Sequence, residues 1–268
     1  MITTSHPTSG AAWDRIALPD PTVRERVSPE EWAVRVDLAA CYRLIARYGW
    51  TDMIYNHISA RVPGRHDRFL INAFGLLYEE ICASNLVTVD LAGNVLDGPE
   101  SGANPAGFII HSAIHQARPE VACVLHTHSK AGSAVAAQPR GLLDISQHAM
   151  RFHGRLAYHD FAGIVLDQAM QDKLVGDLGD KRALILRNHG LLTTGEDVRS
   201  AFEDLYYLEL ACQIQVTAQA GGAVIECDEE IAEHTAGQFD TSNEAFIHGR
   251  DWAALRRMLD RVDPSYAQ

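Results

Sequence analysis

The sequence predicts an α/β fold with mixed, mainly antiparallel strands between helices, and three observations carry that prediction. A capped amphipathic helix opens the patterned part of the chain at "SPEEWAVRVDLAACYRLIARYG". Short apolar runs separated by Pro-Gly and Gly-Asn follow, in the manner of antiparallel strand pairs. A long amphipathic segment, "TGEDVRSAFEDLYYLELACQIQVTAQAGG", then ends at Gly221-Gly222.

Taken in order, residues 1–27 are rich in Thr, Ser, Pro and Asp without periodicity and read as a flexible N-terminal lead-in, which leaves 28–268 as a single domain. Ser28 suits an N-cap, Pro29 the first helical position, Glu31 the return arm of a capping box, and Gly49 the stop. Trp32, Val36, Ala39, Leu44 and Ile45 recur at near-helical spacing. "NHISARVPGRHDRFLINAFG" and "LVTVDLAGNVLDG" each predict a strand pair, the second turning at Gly93-Asn94. In "GANPAGFIIHSAIHQARPEV" Asn104 caps and Pro105 begins a helix that ends near Arg118-Pro119. His111 and His115, four apart on one face of it, are expected to pack and hydrogen-bond within the helix layer. Residues 121–125 predict a buried strand, "SKAGSAVAAQ" a small-residue helix, and "RALILRNHGLLTTG" a strand-like stretch over 182–195. Val198, Ala201, Leu205, Leu208 and Cys212 mark the core face of the long helix, and "DEEIAEHTAGQF" and "NEAFIHGRDWAALRRMLDRV" read as further helices.

Composition narrows the function classes. Of 268 residues, 47% are apolar and 22% charged, as in ordinary globular proteins. With Lys plus Arg at 23 against Asp plus Glu at 35, the net charge is −12, which argues against a general nucleic-acid or anionic-membrane partner. Cys41, Cys82, Cys123, Cys212 and Cys227 are odd in number, widely spaced and form no C-x-x-C pair, so they read as buried thiols of a reducing compartment. The sequence shows no signal-like segment and no membrane-length apolar run, and the expected location is the cytoplasm.

The chemistry gathers around histidine. In "VACVLHTHS" side chains alternate along the strand, so His126 and His128 point the same way at its end. Such a pair can chelate a metal or simply be solvated, and with 13 histidines in the chain spacing alone does not decide. A third appears in "ALILRNHGLLTTG", where Gly190 permits a tight turn beside His189. Two strand-end imidazoles and one from a separate strand make a three-nitrogen face with open coordination positions, the pattern of a catalytic rather than a structural metal centre.

The order of "GLLYEEICASNLVTVD", "ARPEVACVLHTHS" and "ALILRNHGLLTTGED" before a long helix resembles the class II aldolase and adducin head-domain family over roughly residues 30–225. "NPAGFIIHSAIHQARP" and "AYHDFAGIVLD" look closer to the adducin-like branch than to the sugar-phosphate aldolases. The resemblance implies a three-layer α/β/α sandwich around a mainly antiparallel sheet, and a homotetramer with active sites between subunits. It implies His126, His128 and His189 as ligands of a divalent metal, zinc first, with Mn or Fe(II) compatible with the same donors.

The sequence also departs from the sugar-phosphate pattern. Gly107 stands where those enzymes carry an acid/base glutamate, Pro105 and Ala106 where they carry phosphate-binding serines, and Phe74 before Gly75 where they have Ser-Gly. Lost donors and added apolar area argue against a phosphorylated substrate. The resemblance leaves Asn56, Ser59 and Arg61 of "NHISAR" to bind a carboxylate or carbonyl, with Phe74, Gly75 and Gly107 lining the substrate. His148 is the candidate proton-transfer group, near where the aldolases place a tyrosine that reaches a neighbour's site, with His111, His153 and His159 as alternatives. These readings define a metal-dependent lyase, by retro-aldol cleavage or decarboxylation, on a non-phosphorylated, carboxylated small molecule. A nonhaem-iron oxygenase of aryl-keto acids and a noncatalytic adducin-like binding module are the alternatives.

Overall fold

The computed structural model describes residues 18–99, 102–163, 168–241 and 249–268. Among them, strands His57–Arg61 (β1), Arg68–Ile71 (β2), Val87–Asp90 (β3), Val95–Asp97 (β4), Cys123–Thr127 (β5), Leu156–His159 (β6), Ala183–Leu186 (β7) and Gly190–Gly195 (β8) join in one sheet of order β4-β3-β2-β1-β5-β8-β7-β6. Only β6 and β7 pair in parallel; every other pairing is antiparallel. The helices are Val23–Arg26 (α1), Pro29–Arg47 (α2), Pro105–Ala117 (α3), Lys130–Ala136 (α4), Gln147–Met150 (α5), Gln168–Leu178 (α6), Val198–Ala220 (α7), Glu229–Thr241 (α8) and Arg250–Val262 (α9).

Strand alternation sorts the side chains into two layers. Ile58 and Ala60 of β1 and Cys123 and Leu125 of β5 join α2 and α7 in the larger apolar cluster. Val124, Leu184, Leu186 and Leu192 face the other way and join Ile110 and Ile114 of α3 and Leu174 and Leu178 of α6. Tyr42 of α2 pins the start of β1: its hydroxyl accepts from the Ile58 N–H (2.8 Å) and the Asn72 N–H (3.1 Å).

The face of β1 toward α3 is polar. Ser59 Oγ lies 2.6 Å from His111 Nδ1 and 2.8 Å from His115 Nε2. Arg61 donates to the carbonyls of His115 (2.7 Å), His66 (2.9 Å) and Val121 (3.3 Å). His111 and His115 therefore pack and bond between helix and sheet, as their i, i+4 spacing anticipates.

Several elements differ from the sequence reading. The stretch 182–195 is two strands, β7 and β8, folded back on each other around Arg187–His189, with Asn188 in the left-handed region at φ 55°. The strand expected at 121–125 begins two residues later, because the Val121 N–H closes a turn on Arg118 O (3.0 Å). Ser28 caps α2 through the Glu31 N–H, but the Glu31 carboxylate does not return to it; it pairs with Arg35 Nε at 2.8 Å, the counter-charge of a guanidinium that is only 1% exposed. Residues 1–17 of the expected lead-in and 243–248 of the expected last helix lie outside the described residues; within 18–27, α1 forms a short turn with Val23 buried.

Burial, with Arg61 beside it, holds the His115 imidazole down at about 3. An unfolded chain takes up a proton here below about pH 6.5 while the folded chain stays neutral. The contribution of this group is therefore complete above that pH and is lost as the pH falls toward the folded value. Urea titrations between neutral and acidic pH are expected to show falling stability, with His115 contributing a slope approaching about 1.4 kcal/mol per pH unit. His115→Gln should flatten that slope; equal slopes in the two proteins would contradict the assignment.

Candidate metal centre

β5 and β8 bring three imidazoles to one point. His126 is the penultimate residue of β5, His128 follows the strand, and His189 sits in the β7–β8 turn. A Cβ at Gly190 would fall on the Thr127 carbonyl oxygen, so only glycine lets β8 start this close to the end of β5. The α4 segment secures both sides. Ser133 Oγ donates to His189 O at 3.0 Å, and the Asn188 N–H donates to Ala136 O at 3.2 Å. Beside His128, the Ser129 hydroxyl and the Gly132 N–H (3.2 Å) both donate to Glu209 of α7, a carboxylate only 2% exposed whose pKa burial raises.

The Nε2 atoms of His126 and His128 are 2.8 Å apart, as are those of His128 and His189, and all three residues offer ligand atoms within 4.8 Å of one another. The protons lie elsewhere. His126 Nδ1–H donates to Leu191 O (2.9 Å) and His128 Nδ1–H to Asp52 Oδ2 (2.7 Å), so in the neutral form of either ring Nε2 carries a lone pair. Burial, then the neighbouring histidines, holds His126 well below its ordinary pKa, and burial holds His189 at about 4. Lone pairs facing one another at this distance repel unless a cation lies between them. The donor set thus fits a divalent metal, with a carbonyl and a carboxylate fixing the first two rings from behind.

The other residues singled out in the sequence fall into distinct places. Asn56, just before β1, is 1% exposed, and neither its Oδ1 nor its Nδ2 has a hydrogen-bond partner. Ser59 is a correction: its hydroxyl is fully buried and committed to His111 and His115, so it is not free for substrate. Arg61 is likewise committed to backbone carbonyls. Phe74 is half-buried and its N–H donates to Gly102 O (2.8 Å), which ties the loop at Gly75 (φ 100°) to the segment before α3. Gly107 is buried against His57. His148 stacks on Tyr207 (centroids 5.5 Å apart), and among the described residues no contact joins it to the three histidines. His153 and His159 are held by Asp144 (2.8 Å) and Asp177 (2.7 Å).

Sequence reasoning missed Asp52, His57 and Glu209. Asp52 and Glu209 carry no local signal, because each matters only through a partner distant in sequence. His57 had one: in "HISAR" the polar residues alternate with Ile58 and Ala60, which places His57, Ser59 and Arg61 on one face.

An α/β/α fold with a three-histidine face at the end of a mainly antiparallel sheet defines a class of metal-centred domains. Residues 36–216 match the model of the Class II Aldolase and Adducin N-terminal domain, and the chain belongs to that family. It is similar to the crystal structure of an aldolase II superfamily protein from Pseudomonas syringae: 52% identity, 92% of this chain and 100% of that one covered, TM-score 0.89. The L-fuculose 1-phosphate aldolase from Glaciozyma antarctica PI12 matches at 31% identity and TM-score 0.78, with 89% of this chain and 93% of that one covered. Alpha-adducin of Rattus norvegicus is 48% identical over 197 residues, 72% of this chain but only 27% of the adducin.

Asp52→Asn removes the carboxylate behind His128 and is expected to weaken zinc binding about 10- to 100-fold, read by competition with a chromophoric chelator. Unchanged affinity would show that Asp52 does not support the ligand.

Proposed function

We propose that the protein is a divalent-metal-dependent lyase that breaks a carbon–carbon bond, by retro-aldol cleavage or decarboxylation, in a non-phosphorylated, carboxylated small molecule. The observation that carries this reading is the convergence of the His126, His128 and His189 Nε2 atoms. Zinc suits three neutral imidazoles best, and Mn or Fe(II) can use the same donors. When bound, the metal supplies Lewis acidity for negative charge that develops on a substrate oxygen.

The chain supplies the rest. Leu191 O and Asp52 hold the rings of His126 and His128 in the tautomer that binds a cation. Asn56, whose amide nitrogen and oxygen are both buried and unused, is read as binding a carboxylate or carbonyl of the substrate. Phe74 and Gly75 are read as lining the substrate, and Gly107 brings no carboxylate. Phe74, Pro105 and Ala106 have no side-chain donor for a phosphate, which separates this chain from the substrate named in the Glaciozyma aldolase. His148, engaged with Tyr207, serves as a proton-transfer group only toward a neighbouring subunit, which accords with the proposed homotetramer with sites between subunits.

Protein purified without added metal or chelator is expected to hold near one metal per chain, and His126→Ala/His128→Ala to hold none. Turnover of zinc- or manganese-loaded protein is expected on a panel of 2-keto and 2-hydroxy acids and not on L-fuculose 1-phosphate; the reverse pattern would refute the non-phosphorylated substrate. Iron as the bound metal, with oxygen uptake dependent on an aryl-pyruvate, would favour the oxygenase. The 48% identity with alpha-adducin favours a second reading, a binding module that keeps the fold without turnover. Wild-type protein that holds no metal and takes up none on reconstitution would put that reading first.

A further inference from the structure

His57 and Gly107 share one volume. A Cβ built on Gly107 would be driven into the His57 imidazole, with His57 Nε2 at 2.7 Å from it. The ring of His57 also lies against that of His126, with centroids 5.2 Å apart. Strand β1 therefore delivers an imidazole to the flank of the metal centre, through space that any side chain at 107 would close.

The direction of the hydrogen bonds behind that ring is set at its far end. Arg61 has only donors, and its Nη2 faces His115 Nδ1 at 3.4 Å. With Nδ1 as acceptor, His115 carries its proton on Nε2 and donates it to Ser59 Oγ (2.8 Å). Ser59 then donates its own proton to His111 Nδ1 (2.6 Å), which leaves the proton of His111 on Nε2 for His57 Nδ1 (2.8 Å). His57 is left protonated on Nε2. Ser59 and His111 are fully buried and His115 is 1% exposed, so the relay is shielded from water and its bonds are satisfied with one proton on each ring. The Val121 carbonyl is the one group that favours the opposite direction, by drawing a proton onto His115 Nδ1. That carbonyl already accepts from Arg61 Nε at 3.3 Å, and a proton on Nδ1 would point at the guanidinium. Among the described residues no group takes up His57 Nε2.

We propose that His57 is a fixed N–H donor of the metal centre, its Nε2–H directed through the space beside Gly107 to an anionic oxygen of the bound substrate. The inference rests on the metal-centre reading above and narrows the substrate to one that presents an oxygen anion to metal and imidazole together, as the oxygens of a 2-hydroxy or 2-keto acid do. A donor whose tautomer is fixed before the ligand arrives stabilises developing charge without reorganising. A neutral imidazole can act as such an electrophile. A side chain at 107 would displace the ring; glycine leaves it, and its N–H, in place for the substrate.

The test is nitrogen NMR of zinc-loaded, full-length protein labelled at histidine, at neutral pH. The His57 signals are identified by their loss in His57→Gln or, if that variant does not fold, through the coupling across the His57–His111 hydrogen bond. The expected result is a proton on Nε2 and a bare Nδ1. Ser59→Ala, which interrupts the chain of bonds, should retain zinc and show a mixture of His57 tautomers. A proton on Nδ1 in the wild type, or an unmixed signal in Ser59→Ala, overturns the proposal. The second measurement uses oxalate as the probe. His57→Phe, which keeps a ring but has no donor, with unchanged zinc content should bind it about tenfold more weakly or worse, the loss of one hydrogen bond to a charged oxygen. Equal oxalate affinity in variant and wild type overturns the donor role alone. No oxalate binding by the zinc-loaded wild type overturns the chelating-substrate reading and the donor role with it.

Discussion

Three imidazole nitrogens brought to one point are the constraint on which this molecule turns. A neutral imidazole bound at Nδ1 has no proton left for Nε2, and His126 and His128 are bound there by Leu191 O and Asp52. The fold accepts this concentration of like dipoles because the surrounding backbone leaves the rings no other place. Gly190 brings β8 against Thr127, Asn188 takes a left-handed conformation to turn the hairpin, and α4 ties down both sides. A sheet whose strands stopped one residue earlier would keep its core and lose the convergence.

A second polar layer lies inside the sandwich, between α3 and β1, and obeys a different rule. His111, His115, Ser59 and Arg61 are buried in a region where unpaired polar groups are costly, and each has a partner. Asn56 breaks that rule with both amide atoms buried and unpaired.

How legible this was from sequence depended on the range of the interaction. The α2 cap, the turns at Pro63-Gly64 and Gly93-Asn94, the α3 start at Pro105 and the end of α7 at Gly221 are fixed by neighbours in the chain, and they lie where pattern and turn chemistry put them. The 182–195 stretch was harder: an apolar run that reverses direction looks continuous until the positive φ of Asn188 is seen. The three histidines were readable because strand ends and glycines flank them. Ser59 was misread as a substrate ligand because its partners, His111 and His115, lie more than fifty residues away. Asp52 stayed hidden for the same reason, since its only importance is to His128.

Glu209 links the metal-binding face to the longest helix of the molecule. Its carboxylate, buried on α7, takes the Ser129 hydroxyl and the Gly132 N–H just beyond His128. The same helix is held along its length, by Ala201, Leu205, Leu208 and Cys212 in the core and by Gln215 on Gly141 O (2.8 Å). Tyr206 and Tyr207 lie on the same helix, one turn before Glu209, in an aromatic cluster with Tyr48 and Trp50. The loop after His128 and the aromatic cluster thus share one helix as their support.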